Sequence, residues 1–348
     1  MVDYKQHLIP IQFKIKDALV RLDLLAKDAI LFIVDENDKL KGSLTDGDIR
    51  RGLIKGLDIN DNVLDAIQSN PKFVRKGENN INKIIEYREA NFKIIPVLNK
   101  ENIIVNIINF RKLRSYLPVD AVIMAGGKGT RLMPLTSTTP KPLLKVGDKP
   151  IMEHNLDRLI LYGIDDFWIS VKYLGNQIEN YFGNGSTHNA KINYVWEDET
   201  LGTIGAVSMI HNFGHDYVLV TNSDILTNLD YETFFLDFIE QNADLSVVTI
   251  PYRVKIPYAV LETNNGHIIN FKEKPTYTYY SNGGIYLMKR NVLQFLPKNS
   301  FFNATDLMEK LILEGLKVVS FPHTGYWLDV GQHEDYEKAQ KDIKQIKF

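Results

Sequence analysis

Apolar runs alternate with amphipathic stretches along the second half of the chain. The compact apolar runs, which predict strands, are 119–124, 167–171, 192–195 and 217–221. The stretches with helical spacing, which predict helices, are 151–162, 175–181 and 203–211. This alternation predicts an α/β domain with a mostly parallel sheet, helices on both sides, and ligands at the carboxyl ends of the strands.

The first 117 residues contain a weak internal repeat. Segment 32–51 aligns with segment 95–114, so that Val34 matches Val97 and Leu44 matches Ile107. Each copy has helix-spaced apolar residues, then a strand, a polar turn, a second strand and the basic start of a helix. We expect two similar units packed face to face. Leu117–Pro118 is the predicted boundary between domains 1–117 and 118–348, because the residue before a proline avoids helix.

Composition excludes several classes of function. The 41 basic and 43 acidic residues give a formal charge of −2, so no global field attracts nucleic acid or an anionic membrane. The chain has no cysteine, which excludes disulfides, thiolate metal sites and a cysteine nucleophile. No segment approaches the roughly 18 consecutive apolar residues of a membrane helix, and the first residues do not resemble a signal peptide. We therefore expect a soluble cytoplasmic protein.

A glycine-rich loop, AGGKGTRLMPLTSTTPKP, follows the first strand of the second half. Glycines allow backbone N–H groups to approach phosphate oxygens, and Arg131 and Lys141 can neutralise phosphate charge. The loop is not a Walker A motif, because Gly129 follows Lys128 where Ser or Thr would be needed. It is not a dinucleotide fingerprint either, because Leu132 stands at the position of the final glycine.

The first half resembles a tandem pair of cystathionine-β-synthase (CBS) modules, an α+β arrangement that often binds adenine nucleotides. Leu44-Thr45-Asp46-Gly47-Asp48 fits the ribose-binding pattern of these modules, which makes Thr45 and Asp48 candidates for a regulatory nucleotide site. The second copy has Ile108 and Arg111 at the equivalent positions, so at most one such site is expected. The alternative is that Thr45 and Asp48 only cap a helix. Pairing of such modules between chains implies a homo-oligomer.

The second half resembles the sugar-1-phosphate nucleotidyltransferases, a family with a Rossmann-like domain and a mixed, mostly parallel sheet. Matching motifs occur in order along the chain: the glycine-rich loop, ETLGTIGAV (199–207), VTNSDIL (220–226), FKEKP (271–275), NGGIY (282–286) and WLDVGQHEDYEKA (327–339). Ser223 departs from the usual glycine and Thr200 from the usual proline, and neither change removes a reactive group.

The resemblance implies that a sugar phosphate oxygen attacks the α-phosphorus of a nucleoside triphosphate and releases pyrophosphate. The residues that it assigns to catalysis are Arg131 and Lys141. The nucleotide would be bound by Ala125, Gly126, Gly127, Gly129, Thr130, Glu197 and Gly202. Asp224 and Asp329 would hold Mg²⁺, and the sugar phosphate would contact Glu273, Lys274, Asn282 and Gly283.

Glu197 bears on the choice of base. Thymidylyl- and uridylyltransferases of the family commonly have Gln at this position, whereas a carboxylate offers only acceptors and suits the N–H donors of guanine. GTP is therefore favoured, although Asp198 and Glu199 lie alongside and permit a shift in alignment. The two-domain arrangement resembles the glucosamine-1-phosphate guanylyltransferases of bacterial legionaminic acid biosynthesis, which implies GDP-glucosamine as the product. A thymidylyl- or uridylyltransferase acting on glucose 1-phosphate and a non-catalytic nucleotide sensor remain the alternatives.

Overall fold

The computed structural model describes residues 4–78 and 80–346. The elements of the first half are β1 (Leu8–Pro10), α1 (Ile15–Leu25), β2 (Leu31–Val34), β3 (Leu40–Leu44), α2 (Asp46–Ile54), β4 (Val74–Arg75), α3 (Ile81–Glu89), β5 (Ile94–Leu98) and β6 (Ile104–Asn109). The sheets β1–β2–β3 and β4–β5–β6 have the same design, with the first pair of strands parallel and the second antiparallel. This shared design confirms the repeat.

The two repeat units pack against each other as expected. One buried cluster combines Phe32 and Val34 of the first unit with Ile94 and Leu98 of the second. The prediction that both copies end in a basic helix is wrong for the second copy. Strand β6 ends at Asn109, a turn follows, and Arg114 N–H donates to the carbonyl oxygen of Leu161 at 2.7 Å. The chain therefore continues from β6 directly to the first strand of the second half.

The second half begins with a long strand and alternates strands with helices. Its elements are β7 (Val119–Ala125), β8 (Lys145–Val146), β9 (Lys149–Pro150), α4 (Ile151–Leu161), β10 (Asp166–Val171), α5 (Gly175–Phe182), β11 (Lys191–Trp196), β12 (Tyr217–Asn222), β13 (Ile225–Thr227), α6 (Tyr231–Glu240), β14 (Leu245–Lys255), β15 (Val260–Asn264), β16 (His267–Lys272), β17 (Thr276–Lys289), α7 (Ala304–Leu313), β18 (Val318–Pro322), β19 (Trp327–Asp329) and α8 (His333–Asp342). All four predicted strands of this half are confirmed. Helices α4 and α5 also match their predictions.

Seven strands form the central sheet in the order β11–β10–β7–β12–β17–β14–β18. Strand β17 runs antiparallel to β12 and β14, and the other neighbouring strands are parallel. The mixed, mostly parallel sheet is therefore confirmed. The order reverses at β7, because β10 and β11 lie on one side of it and β12 on the other, and such switch points hold ligands in α/β proteins.

Alternating side chains of the strands enter two separate cores. Ala121 and Ile123 of β7 face a cluster that includes residues of α4, α5 and α6, whereas Val122 faces a cluster that includes residues of α7. This alternation follows from the two-residue period of a strand. Helices consequently cover both sides of the sheet.

The predicted helix over 203–211 is largely absent, because only Gly205–Met209 forms a short 3₁₀ turn. Tertiary hydrogen bonds occupy the backbone where the helix would begin. Ile204 N–H donates to the Phe302 carbonyl oxygen at 3.2 Å, and Phe302 N–H donates to that of Leu201 at 3.0 Å. Long-range pairing has therefore replaced the local helix that the spacing predicted.

The apolar core continues across residues 117–118. Ile84 and Ile108 of the second repeat unit belong to the same buried cluster as Val119 and Phe167 of the central sheet. Arg88 adds a bidentate ion pair with Glu232, at 2.9 and 2.8 Å. No helix within residues 4–78 and 80–346 is long and apolar enough to cross a membrane.

The amino ends of the central strands carry a buried charge cluster that faces the first half. Lys76 Nζ lies 3.0 Å from Asp166 Oδ2, and His215 N–H donates to Asp120 Oδ2 at 2.7 Å. Burial opposes the ionisation of Asp166, but contacts with His215 and Lys76 outweigh this effect and lower its pKa. For Asp120 burial dominates, and its pKa is raised.

Leu159→Ala tests the core beneath the site. Leu159 is fully buried in α4, so the substitution should lower the free energy of unfolding by about 2–5 kcal/mol. The matched control is Leu313→Ala in α7, where Leu313 is 80% exposed and the expected change is within about 0.5 kcal/mol. Denaturant unfolding measures both. Equal effects of the two substitutions would contradict the assigned core.

Candidate active site

The glycine-rich loop leaves the carboxyl end of β7 and folds back on itself. Gly129 has a φ of +60°, in the left-handed region, and Thr136 Oγ1 donates to its carbonyl oxygen at 2.9 Å. A Cβ at Gly129 would lie 3.0 Å from the Cβ of Lys141. Both the backbone conformation and the close approach require glycine here. The turn thus brings Lys141 back towards the strand from which the loop started.

A cavity of about 470 Å³ opens at the carboxyl ends of β7 and β12. It is lined by Met124, Ala125, Gly126, Gly127, Gly129, Thr130, Arg131, Lys141, Pro142, Glu197, Thr200, Gly202, Thr203, Asn222, Ser223, Asp224, Phe301 and Asn303. All nine residues that the sequence assigned to catalysis or nucleotide binding line it, together with Asp224. The structure therefore brings these residues together at the switch point of the sheet.

Two strands pair to bring Asp224 and Asp329 together. Strands β13 and β19 run antiparallel, with Ile225 opposite Asp329, and Val330 N–H donates to the Asp224 carbonyl oxygen at 3.0 Å. Lys141 is buried beside both carboxylates. Its Nζ donates to Asp224 Oδ2 and lies 3.9 Å from Asp329 Oδ1. Three charged groups from distant parts of the chain thus share one small volume.

The donor set of this carboxylate pair suits a divalent cation. The Oδ1 atoms of Asp224 and Asp329 are buried and make no hydrogen bond with described residues. Buried carboxylate oxygens without a donor are costly, and hard cations such as Mg²⁺ prefer oxygen ligands. Burial, and next the charge of Asp224, raise the pKa of Asp329 to about 6. A cation between the two carboxylates would provide a partner for both Oδ1 atoms and would favour the ionised form of Asp329.

Glu197 lies on another wall of the cavity, just after β11. It is only 7% exposed, and it accepts hydrogen bonds from Ser170 Oγ and, at 3.1 Å, from Leu201 N–H. A Cβ on Gly126 would lie 2.6 Å from Glu197 Oε1, so the glycine-rich loop passes directly against this carboxylate. Asp198 and Glu199 are exposed. Glu197 is therefore the acidic residue of this trio that the fold presents to the cavity.

The predicted sugar-phosphate ligands do not line this cavity. Glu273 and Lys274 are exposed on the segment that joins β16 to β17. Asn282 Oδ1 accepts from Gly284 N–H at 2.9 Å, and the Gly283 carbonyl oxygen accepts from Trp327 Nε1 at 2.9 Å. Their role in sugar binding stays a prediction.

Several cavity residues were not predicted from the sequence. Asn222 directly follows the apolar run of β12, and this position at the carboxyl end of a strand could have predicted its place in the cavity. Phe301 and Asn303 lie far along the chain and reach the cavity because Phe302 pairs with the backbone of Leu201. No local sequence pattern predicts this long-range pairing.

Thr45 and Asp48 form a helix cap in the first half. Asp48 Oδ2 accepts from Thr45 N–H at 2.9 Å and from Thr45 Oγ1 at 2.6 Å, while Oδ1 accepts from Arg51 at 2.6 Å. Thr45 Oγ1 in turn accepts from Asp48 N–H at 3.3 Å, which completes a capping box on α2. Capping accounts for both residues, and a regulatory nucleotide at this position stays a prediction.

Residues 120–346 match the family model described as Nucleotidyl transferase. The chain belongs to this nucleotidyl transferase family. The match begins at residue 120 and does not extend over the repeat units.

Curated relatives of this family member act on different sugars and bases. A UTP–glucose-1-phosphate uridylyltransferase from Synechocystis is 31% identical over an alignment that covers 64% of this chain and 63% of that protein. A D-glycero-α-D-manno-heptose 1-phosphate guanylyltransferase from Aneurinibacillus thermoaerophilus is 32% identical, over 65% of this chain and 99% of that protein. A mannose-1-phosphate guanylyltransferase from Mycobacterium tuberculosis is 32% identical, over 65% of this chain and 64% of that protein.

Among solved structures, a Bacillus anthracis protein provisionally assigned as a glucose-1-phosphate thymidylyltransferase is similar, with a TM-score of 0.53 and 25% identity. The similarity covers 66% of this chain and 97% of that one. It supports the assignment of the sheet and its helices to the nucleotidyl transferase family.

Asp329→Asn tests the electrostatics of the carboxylate pair. Because the pKa of Asp329 is raised to about 6 in the folded state, its ionisation destabilises that state as the pH rises through about 6. In metal-free buffer the variant should therefore unfold at a higher temperature than the wild type above pH ~6, and the difference should disappear near pH ~4.

Thermal unfolding across a pH series, with chelator present, measures this difference. The matched control is Glu334→Gln, which removes an exposed carboxylate five residues further along the chain and should change little. Addition of Mg²⁺ should stabilise the wild type and not Asp329→Asn. A lower unfolding temperature of Asp329→Asn at high pH would contradict the account of the pair.

Proposed function

We propose that the chain transfers a nucleotidyl group from a nucleoside triphosphate, with GTP favoured, to a sugar 1-phosphate, with glucosamine 1-phosphate favoured. The observation that carries the proposal is the convergence of Arg131, Lys141, Asp224 and Asp329 around the glycine-rich loop. Phosphoryl transfer needs a loop that binds phosphate, cationic side chains and carboxylates that can hold a metal ion, and this site has all three. The family membership supports the same reaction class.

In this mechanism a phosphate oxygen of the sugar 1-phosphate attacks the α-phosphorus of the triphosphate. The new phosphorus–oxygen bond forms as the bond to the β-phosphate bridging oxygen breaks, and pyrophosphate leaves with the bonding electrons. No protein nucleophile is needed. Catalysis then consists of positioning the two anionic substrates and stabilising charge.

Each charged group has a defined task in this proposal. Backbone N–H groups of Gly126, Gly127 and Gly129 approach the phosphates, and Arg131 stabilises the negative charge of the departing pyrophosphate. Lys141, fixed by Asp224 and packed beside Gly129, holds the triphosphate through its ammonium group. Mg²⁺, held by Asp224 and Asp329, would neutralise phosphate charge when bound.

The preference for GTP rests on Glu197. Each of its oxygens accepts one hydrogen bond from the protein, and a carboxylate has about four lone-pair sites, so acceptor capacity remains towards the cavity. Guanine presents N1–H and N2–H donors to such a group, whereas uracil and thymine present a mixed edge. The guanylyltransferases among the relatives agree with this choice, and the uridylyltransferase shows that the family admits others.

The alternatives are separated by a substrate matrix. GTP, UTP and dTTP are each combined with glucosamine 1-phosphate, glucose 1-phosphate and mannose 1-phosphate, and pyrophosphate release is measured. We expect the highest kcat/KM for GTP with glucosamine 1-phosphate. Asp224→Asn should reduce turnover by about 100-fold or more while leaving the unfolding temperature of the fold measurable and cooperative. No turnover with any pair would favour the non-catalytic sensor and contradict the proposal.

Glu197→Gln tests base recognition separately from catalysis. Replacing one acceptor by a donor should lower the ratio of kcat/KM for GTP to that for UTP by about 10-fold to 100-fold, since one good pairing discriminates by about 1–3 kcal/mol. The matched control is Glu199→Gln, because Glu199 is exposed and should leave the ratio unchanged. An unchanged ratio in Glu197→Gln would remove the argument for guanine.

A further inference from the structure

Phe301 exposes a large aromatic side chain inside the candidate active site. It lines the cavity, yet it is 61% exposed. Among the described residues that line the cavity, it is the one aromatic residue. Ligand sites are typically lined by apolar and aromatic side chains together with a few polar groups. An exposed aromatic ring in such a cavity therefore indicates a contact with a substrate.

The residue after Phe301 is fixed by contacts with a distant segment. Phe302 N–H donates to the Leu201 carbonyl oxygen at 3.0 Å, and the Phe302 carbonyl oxygen accepts from Ile204 N–H at 3.2 Å. The side chain of Phe302 packs against the buried cluster that includes residues of α7. Both backbone polar groups and the side chain of Phe302 thus have partners, and they set the position of Phe301 beside them.

Two glycines let the segment that carries Phe301 lie directly against the neighbouring loop. A Cβ on Gly202 would lie 2.5 Å from the Phe302 carbonyl oxygen, and a Cβ on Gly205 would lie 2.6 Å from that of Ser300. Any larger residue at either position would push the two segments apart. Phe301 is therefore held in place before a ligand arrives, which lowers the entropy cost of binding.

Leu201 connects this segment to the carboxylate that is proposed to bind the base. Its N–H donates to Glu197 Oε2 at 3.1 Å, and its carbonyl oxygen accepts from Phe302 N–H at 3.0 Å. The backbone of one residue therefore joins Glu197 to the segment that carries Phe301. Gly202, the next residue, also lines the cavity. Phe301 and Glu197 consequently belong to the same part of the cavity.

We propose that the ring of Phe301 stacks on the face of the nucleobase while Glu197 binds its edge. The inference rests on the proposed function. A nucleobase has polar edges and two π faces, and a carboxylate can satisfy only an edge. Stacking on an aromatic side chain strengthens binding and tolerates any base, because every base has a π face. Phe301 thus supplies affinity that all nucleoside triphosphates share, whereas Glu197 supplies selectivity between them.

The base fits this ring better than the sugar of the second substrate does. The hydroxyl groups of a sugar need hydrogen-bond partners when they leave water, and a phenyl ring offers none to them. The faces of a base carry no such groups. The direct backbone connection to Glu197 favours the base for the same reason, because it places the ring beside the group that binds the base edge.

Phe301→Ala tests the stacking by calorimetric titration with GTP in the presence of Mg²⁺. The substitution should raise the Kd for GTP by about 5-fold to 150-fold, the usual effect of removing one base–aromatic stack. Inorganic tripolyphosphate has the phosphates but no base, so its Kd should be the same for the variant and the wild type. Because Phe301 is exposed, the unfolding temperature should not change. If the substrate matrix selects UTP, the titration uses UTP with the same expectation.

Three further variants separate stacking from other effects. Phe301→Tyr keeps the aromatic face and should bind GTP as the wild type does. Phe301→Leu keeps only apolar volume and should lose most of the affinity that Phe301→Ala loses. The matched control is Ile312→Ala in α7, because Ile312 is 62% exposed and does not line the cavity. Its Kd for GTP should equal that of the wild type. Wild-type affinity of Phe301→Leu would overturn the stacking.

Steady-state kinetics show which substrate the ring contacts. Loss of binding that is equal in the ground state and the transition state raises KM without changing kcat, so Phe301→Ala should raise the KM for GTP alone. A raised KM for the sugar 1-phosphate with an unchanged Kd for GTP would place the ring against the sugar and overturn the inference. An unchanged Kd for GTP in an enzyme that turns GTP over would also overturn it. Weaker GTP binding by Phe301→Ala, in a wild type without turnover, would support the stacking and contradict the proposed function alone.

Discussion

The candidate site depends on one electrostatic constraint, the placement of Asp224 and Asp329 around the buried ammonium of Lys141. Burial, and next the negative charge of Asp224, raise the pKa of Asp329 to about 6. Lys141 offsets part of this effect, and the two Oδ1 atoms without a donor leave room for a further cation. The fold maintains this arrangement through the short β13–β19 ladder rather than through local sequence. Two carboxylates beside one ammonium leave an excess of negative charge, which is costly to bury and which a divalent cation would neutralise.

The remainder of the structure supports the carboxyl ends of the central strands and leaves the cavity there accessible. The glycine-rich loop and the ends of β7 and β12 form the cavity at the carboxyl ends of the strands. The repeat units attach elsewhere, where Lys76 meets Asp166 at the beginning of β10. A continuous apolar core joins the repeat units to the sheet.

Much of the architecture was predictable because it is local. The four strands β7, β10, β11 and β12 and the helices α4 and α5 follow from periodicity, and the repeat follows from the match of Val34 with Val97. The glycine-rich loop was recognisable because its chemistry lies in one continuous stretch. The failures involve contacts between distant segments. The backbone where the helix over 203–211 was predicted forms hydrogen bonds with Phe302 instead. No pattern in the sequence predicts that Phe301 lines the cavity. The exposure of Glu273 could not be predicted from the sequence either, because it depends on how the strands on both sides of this residue pair.

The most direct test of the central claim is a crystal structure with GTP and Mn²⁺, in which anomalous scattering locates the metal. We expect a metal peak between Asp224 and Asp329, with the triphosphate along the glycine-rich loop and within reach of Arg131 and Lys141. A triphosphate bound elsewhere, or a metal without contact to either aspartate, would contradict it.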